Sequence, residues 1–285
     1  MLYKRGARWA YGRHLGRFGP IKAANALLRA HLVPAAGPIL VQTSAQQMYV
    51  DALDSLSIST FGIYEPETTL LIERTLNPGD VFLDIGANIG WYTLLAASLV
   101  GETGKVFAFE PEPANFALLQ KNIALAGYHN VDPMQKAVSD RNQTVTLYLR
   151  ENNRGSHALY AGVDSASIPV EAVRLDDHLG TYMGKIDLIK MDIEGSEGHA
   201  LMGMTALLKR NRGVKIIMEL SPHALEQSGT PARDVLDMLR GLGFAFYTID
   251  GQGSTPVSAE MLLQTYGGQP PKHTNILCIR EDAST

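Results

Sequence analysis

The sequence predicts an α/β domain built on a doubly wound, mostly parallel sheet of seven strands, and three observations carry that prediction. From about residue 66 onward, short apolar runs alternate with segments of helical spacing, the pattern of βαβ units. Residues 81–92, VFLDIGANIGWY, pass from an apolar strand through a small-residue turn into an amphipathic stretch. About twenty residues later a second apolar strand ends in Glu110 and Pro111, the acid-tipped second strand of a Rossmann-like half-sheet.

In chain order, Pro66 fixes the backbone before a helix over 67–75, and Thr68 supports its start. Apolar runs place strands at 80–85, 105–109 and 131–138, separated by helically spaced segments at 91–100 and 113–126. Residues 143–175 break this rhythm. There 144–149 alternates like a half-exposed strand, 151–157 is a polar loop and 168–175 is strand-like again, so a β-hairpin insertion is predicted. The alternation then resumes with strands at 186–191, 214–220, 244–249 and 274–279 and helices at 196–209 and 231–241. No internal repeat or low-complexity tract is present.

The turn after Asp84 reads D-x-G-x-x-x-G, with Gly86, Ala87, Asn88 and Gly90 as its small members. Glycine adopts positive φ without steric cost and lets backbone approach a ligand, and a helix N-terminus offers free N–H donors. Asn88 stands where the dinucleotide fingerprint G-x-G-x-x-G has its middle glycine, so the turn departs from a pyrophosphate site. Glu110, at the neighbouring strand tip, is placed to accept both hydroxyls of a ribose. A carboxylate at Asp84 suits an ammonium or sulfonium centre better than a phosphate. Together these residues describe a pocket for a nucleoside-type cofactor.

The blocks YEPETTLLIE (64–73), DIGANIGWYT (84–93), AFEPEPANFALLQKNIALAG (108–127) and IKMDIEGSE (189–197) resemble the FkbM family of S-adenosylmethionine-dependent methyltransferases, in order and spacing, over about residues 57–280. The resemblance implies a seven-stranded methyltransferase sheet with S-adenosylmethionine lying across the carboxyl ends of its first two strands. It implies methylation of a hydroxyl on a sugar, glycolipid or secondary metabolite, with no metal. Tyr64 and Glu65 then fold over the methionine end of the cofactor, and Asp84, Gly86, Ala87, Asn88, Gly90, Glu110 and Pro111 form the rest of its pocket. An amide or peptide nitrogen as acceptor, and a catalytically silent cofactor-binding module, are the alternatives.

Ligands of open α/β sheets bind at the carboxyl ends of the strands, and two further ends carry acids. The fourth delivers Asp192, Glu194 and Glu197; such crowding is costly unless the carboxylates face a cation or a donor-rich ligand. Asp192 and Glu194 are assigned to the cofactor, Asp192 also to the chemistry and Glu197 to the acceptor, with helix capping as the competing role for Glu194 and Glu197. The fifth ends in Glu219, with His223 in the loop beyond, and either is placed to remove a proton from a hydroxyl. His199 falls inside a helix, where packing or exposure explains it. On the inserted hairpin, Asn153, Arg154, Gly155, Ser156 and His157 form a polar turn, of which Arg154 and His157 are assigned to the acceptor; a solvated loop explains them equally.

Other functions fit less well. An NAD-dependent oxidoreductase has no use for the DIEGSE carboxylates, and a nucleic-acid amino-methyltransferase would carry Asn/Asp-Pro-Pro-aromatic where this chain has Asp-Ile-Glu-Gly. A catechol-type metal mechanism needs an acid–amide pair where Glu219-Leu220 stands. The 285 residues, 45% hydrophobic, suffice for one substantial core. A single cysteine, Cys278 in the strand-like NILCIR, excludes an intramolecular disulfide and fits a reducing compartment, and a cytoplasmic protein is expected. Residues 1–50 hold seven Lys/Arg and no acid, leaving 18 basic and 29 acidic residues in 51–285. The expected division is therefore a basic, helical N-terminal extension over 1–50 and the catalytic domain over 51–285. Aromatic and aliphatic residues interleaved with the basic ones over 1–33 suit packing on the domain, a second copy in a homodimer, an acidic partner or an anionic membrane surface. Nucleic acid is not expected as a partner, because the body is acidic and lacks a basic stripe.

Overall fold

Strands that pack helices on both faces must be apolar on both, and the central strands of this chain are. In a computed structural model, residues 37–280 are described, apart from 45, 53, 150–157 and 160–165. Every residue of β3 (Val81–Ile85) and of β9 (Leu188–Met191) is buried. With β4 (Lys105–Phe109), β5 (Val131–Met134) and β10 (Lys215–Leu220) they form a parallel core, in the order β10-β9-β3-β4-β5. Beyond β10 lie β13 (Thr274–Arg280), β11 (Phe244–Asp250) and β12 (Gly253–Val257), each antiparallel to its neighbour. Helices Pro66–Thr75, Trp91–Val100 and Pro113–Ala126 cover one face through Phe82, Ala108, Leu188 and Ile217. Helices Glu197–Gly203, Thr205–Arg210, Ala232–Gly241 and Ala259–Tyr266 cover the other through Leu83, Ile189, Met218 and Ile276. The doubly wound sheet expected from the alternation is thus present.

The departures have local causes. An eighth strand, β12, extends the expected seven. Asp250 Oδ1 accepts the N–H groups of Gln252 (2.8 Å) and Gly253 (2.9 Å) to turn the chain, and β12 is largely exposed, so it has no apolar pattern to betray it. Pro256 is tolerated there because the strand is at the sheet edge. The strand expected over 131–138 is two. After β5, Lys136 N–H turns back onto Met134 O (2.9 Å), and β6 (Ala137–Val138) joins a separate three-stranded sheet with β7 (Gln143–Leu149) and β8 (Ala166–Val173). The antiparallel β7–β8 pair is the expected insertion, running from Gln143 opposite Ala172 to Leu149 opposite Ala166. The helix expected over 196–209 breaks at Met204. Gly203 packs so closely on Ser139 that a Cβ would lie 2.0 Å from its carbonyl oxygen, and Thr205 Oγ1 bonds back to Leu201 and Met202 carbonyls, a contact that bends helices.

The end of the expected N-terminal extension is a strand pair where a helix was expected. Residues 1–36 lie outside the described residues, but β1 (Ile39–Gln42) and β2 (Gln47–Val50) form an antiparallel hairpin docked on the domain rather than a helical appendage. Met48 and Val50 are fully buried, and the Asn122 side chain clasps the backbone of Tyr49, accepting its N–H (2.6 Å) and donating to its carbonyl (2.9 Å). Cys278 is buried in β13, where burial pushes its thiol pKa up. No helix among the described residues is long and apolar enough to cross a membrane.

Candidate active site

The turn after β3 is held by the protein itself. Gly86 and Ala87 both donate their N–H to Phe109 O (2.9 Å each), and Asn88 donates its N–H to Glu110 Oε2 (2.8 Å). Asn88 sits at φ 51°, and its Oδ1 accepts the Ile89 N–H (2.8 Å), a local bond that helps asparagine tolerate this region. The backbone donors expected to face a ligand are therefore spent on the end of β4. Glu110 itself is only 6% exposed, lines the cleft, and accepts a second N–H from Glu112 at Oε1 (2.9 Å). Burial raises its pKa to about 7 against the pull of these two N–H groups. Each oxygen keeps a lone pair for a further donor, the requirement for reading a diol. Glu110→Ala should weaken S-adenosylhomocysteine binding by about 1 to 3 kcal/mol, because it leaves the ribose hydroxyls without their acceptor in the bound state; an unchanged affinity by calorimetry would refute the assignment.

Asp84 is not at the ligand surface. It is 1% exposed, does not line the cleft, and accepts the Thr93 hydroxyl (2.5 Å) beneath the turn. Burial lifts its pKa to about 6 although Thr93 and Lys190 oppose the rise.

The cleft is open to solvent, and the space between its lining atoms, counting that opening, is about 850 Å³. One wall is the turn with Glu110 and Pro111, the other is Lys190, Asp192, Ile193 and Glu194. Tyr64, Trp91 and Tyr92 flank it, and Val138, Leu147 and Leu159 give an apolar end. Tyr64 thus lines the cleft. Glu65 stands behind, its Oε2 accepting the Tyr92 hydroxyl (2.7 Å) and Asn275 Nδ2 (2.8 Å). Glu65 (φ 37°), Asn88 (φ 51°) and Glu194 (φ 53°) all hold positive φ around this cleft. Non-glycine residues in that region are held there only by surrounding structure, and they concentrate at functional sites.

Asp192, Glu194 and Glu219 bring carboxylate oxygens within 4.8 Å of one another. Lys190 Nζ lies 3.0 Å from Asp192 Oδ2 and already supplies a cation. Glu219 is 13% exposed in its side chain, and burial followed by Asp192, Glu194 and Glu197 pushes its pKa well up. His223 is not brought to this cluster: it is exposed on the helix Pro222–Gln227, its Nε2 3.0 Å from Gln227. The histidine beside Glu219 is His273, at 3.9 Å. Sequence reasoning missed it, along with Lys190 and Asn275; only Lys190 gave a signal, as a lysine inside the apolar run LIKM.

Glu197 does not face an acceptor. It is fully buried, with Oε1 accepting the N–H groups of Ile193 (3.0 Å) and Gly195 (3.3 Å), so it ties down the loop that carries Asp192 and Glu194. His199 Nε2 is 3.1 Å from Ser228 O, a packing role. Asn153, Arg154, Gly155, Ser156 and His157 lie outside the described residues. Burial raises the Glu197 pKa from 4.5 to about 7. The folded state then keeps a proton that the unfolded chain loses, so the contribution of this group to stability is greatest below about pH 4.5 and is lost as pH rises to about 7. Glu197→Gln removes this titration and should lose on the order of 3 kcal/mol less stability between pH 4.5 and 8 than the parent protein. Urea unfolding at several pH values measures it, and parallel curves would remove Glu197 from the account.

A family profile described as "Methyltransferase FkbM domain" matches residues 84–246, more than half of the chain. Among similar proteins, the 2-O-methyltransferase NoeI of Sinorhizobium fredii is 28% identical over 62% of this chain and 80% of its own. The 31-O-demethyl-FK506 methyltransferase FkbM of Streptomyces tacrolimicus is 33% identical over 45% of this chain and 61% of its own. The hexuronic acid methyltransferase AglP of Haloferax volcanii is 25% identical over 51% and 58%. The chain thus spans about three-fifths of the length of two of these relatives. With the profile running from Asp84 at the end of β3 to the start of β11, and so over the turn, Glu110, the Asp192 loop and Glu219, the chain belongs to the FkbM methyltransferase domain family.

Proposed function

We propose that this chain is an S-adenosylmethionine-dependent methyltransferase that methylates a hydroxyl of a sugar, glycolipid or secondary metabolite. The observation that carries the reading is the distribution of charge around one cleft at the carboxyl ends of parallel strands. A diol-competent carboxylate, Glu110, stands on one wall, and Asp192 and Glu194 stand on the other, with Glu219 close behind. This set suits a nucleoside bearing positive charge. It does not suit a pyrophosphate, because the turn amides that would cradle phosphate are bonded to Phe109 and Glu110, and carboxylates would repel it.

S-adenosylmethionine, when bound, supplies an electrophilic methyl group with a good leaving group. The residues do the rest. Tyr64, Trp91 and Tyr92 give the cleft an aromatic lining. Glu194 and Asp192 hold positive charge at its β9 side. Glu219 accepts the proton of the acceptor hydroxyl at a carboxylate oxygen that burial and neighbouring acids have made more basic. An O-methylating reading draws support from the names of the relatives, two of which specify an oxygen position and one a sugar acid.

Calorimetry with S-adenosylhomocysteine and NADH, followed by release of S-adenosylhomocysteine in the presence of hydroxylated acceptors, tests the proposal. Binding of the homocysteine nucleoside alone and acceptor-dependent turnover are expected. NADH binding, or turnover only with amide acceptors, would displace the reading.

A further inference from the structure

We propose that Lys190 and Asp192 act as a pair that grips the amino-acid end of the cofactor, the lysine taking its α-carboxylate and the aspartate its α-ammonium. This rests on the cofactor reading above and adds where that end lies and what recognises it.

Lys190 is 1% exposed, on β9 in register with Asp84 of β3 and Ile217 of β10. Tyr92 presents its ring 5.4 Å from Nζ, and Asp192 Oδ2 lies 3.0 Å away. An ammonium carries three donors, yet among the described residues the one hydrogen bond that Nζ makes is to Asp192. A buried charge with donors to spare is costly unless an acceptor completes it. Burial alone would make Lys190 shed its proton, but Asp192, Glu65 and Glu219 outweigh it and hold the pKa above the ordinary lysine value. The group is therefore a permanent cation with unused bonding capacity at the cleft wall.

Its location fits one end of the ligand. Among the described residues, the basic side chains lining the cleft are Lys136 and Lys190. Lys136 is paired with Glu171 on the far side of Glu110, next to β6. Strand spacing puts β9 about 10 Å from β4, with β3 between them. A ribose on Glu110 therefore leaves the rest of an extended cofactor crossing the Gly86 turn toward Lys190. A carboxylate arriving there meets Asp192, Glu194 and Glu219, and would be repelled without a cation. The Lys190–Asp192 pair removes that conflict, because its polarity is the reverse of an ammonium–carboxylate zwitterion and the two can align head to tail.

The test compares three nucleosides by calorimetry: S-adenosylhomocysteine, its decarboxylated analogue S-adenosyl-3-thiopropylamine, and 5′-methylthioadenosine, which lacks both charged groups. The native protein should bind S-adenosylhomocysteine about tenfold or more tighter than the decarboxylated analogue. Lys190→Met should bring those two affinities together and leave methylthioadenosine binding unchanged. Equal binding of the first two by the native protein overturns the proposal without any variant. Lys190→Met weakening all three ligands alike assigns the lysine to structure alone and also overturns it. If the native protein binds none of the three, the cofactor reading itself fails, a separate and recognisable result.

Discussion

Glu219→Gln should lower kcat by about 10²- to 10⁴-fold, the usual contribution of a positioned general base, while changing the affinity for S-adenosylhomocysteine by less than about threefold. The substitution keeps shape and one acceptor oxygen but removes the ability to take a proton. Glu219 emerges at the end of β10, beside Asp192 and Glu194 but outside the residues that line the cleft. That separation is why turnover and binding should part. Burial and the adjacent carboxylates raise its pKa above the ordinary carboxylate value, with Lys190 opposing. The sign follows directly: the base is active when deprotonated, so kcat should rise with pH through a midpoint above the usual carboxylate range. That limb should vanish in the glutamine variant. Equal losses in kcat and binding, or a pH limb that survives the substitution, would take the proton-accepting role away from Glu219.

What could be read from the chain was whatever adjacent residues decide. Helices Trp91–Val100 and Pro113–Ala126 begin and end where periodicity placed them, and Glu110 reaches the cleft because the tip of a strand next to the turn leaves it little choice. Asp84 was misread through parity. It shares a face with Phe82, and that face is covered by helix Trp91–Val100, whose Thr93 meets the carboxylate; a side chain on it points under the turn, not over it. Glu197 was misread for a related reason. It looks like part of an acid-rich strand end, but the first helical turn carries it back beneath the loop, where two backbone N–H groups claim it. Lys190 broke the apolar pattern visibly, yet its meaning depends on Asp192, Tyr92 and Glu65, and Glu65 comes from the start of the helix Pro66–Thr75, far from Lys190 in the sequence. His273 approaches Glu219 just before the antiparallel strand β13, a contact that only the sheet order creates.

Gly86→Ala should cost several-fold more stability than Gly229→Ala, although both glycines have φ +84°. The conformational part is the same for each, about 1 to 2 kcal/mol for moving an L-residue into the left-handed region. At Gly229 nothing lies within 4 Å of the new Cβ, so that is all the change should cost. At Gly86 the Cβ would lie 2.0 Å from Asp192 O, 3.0 Å from its carbonyl carbon and 3.1 Å from Ile193 Cγ2. Two of these atoms are backbone and cannot rotate away. Either the turn after β3 lifts, breaking the Gly86 and Ala87 bonds to Phe109 O, or the end of β9 retreats, carrying Lys190 and Asp192 out of place. Each route removes buried hydrogen bonds as well as adding strain, so a total of about 4 kcal/mol or more is expected. Both routes also deform the cleft, and S-adenosylhomocysteine binding should be lost in Gly86→Ala and kept in Gly229→Ala. Urea unfolding of the two variants side by side measures the difference. Equal destabilisation would mean that the close approach of the β3 turn to Asp192 does not exist in solution, and the arrangement of acids around the cleft would lose its foundation.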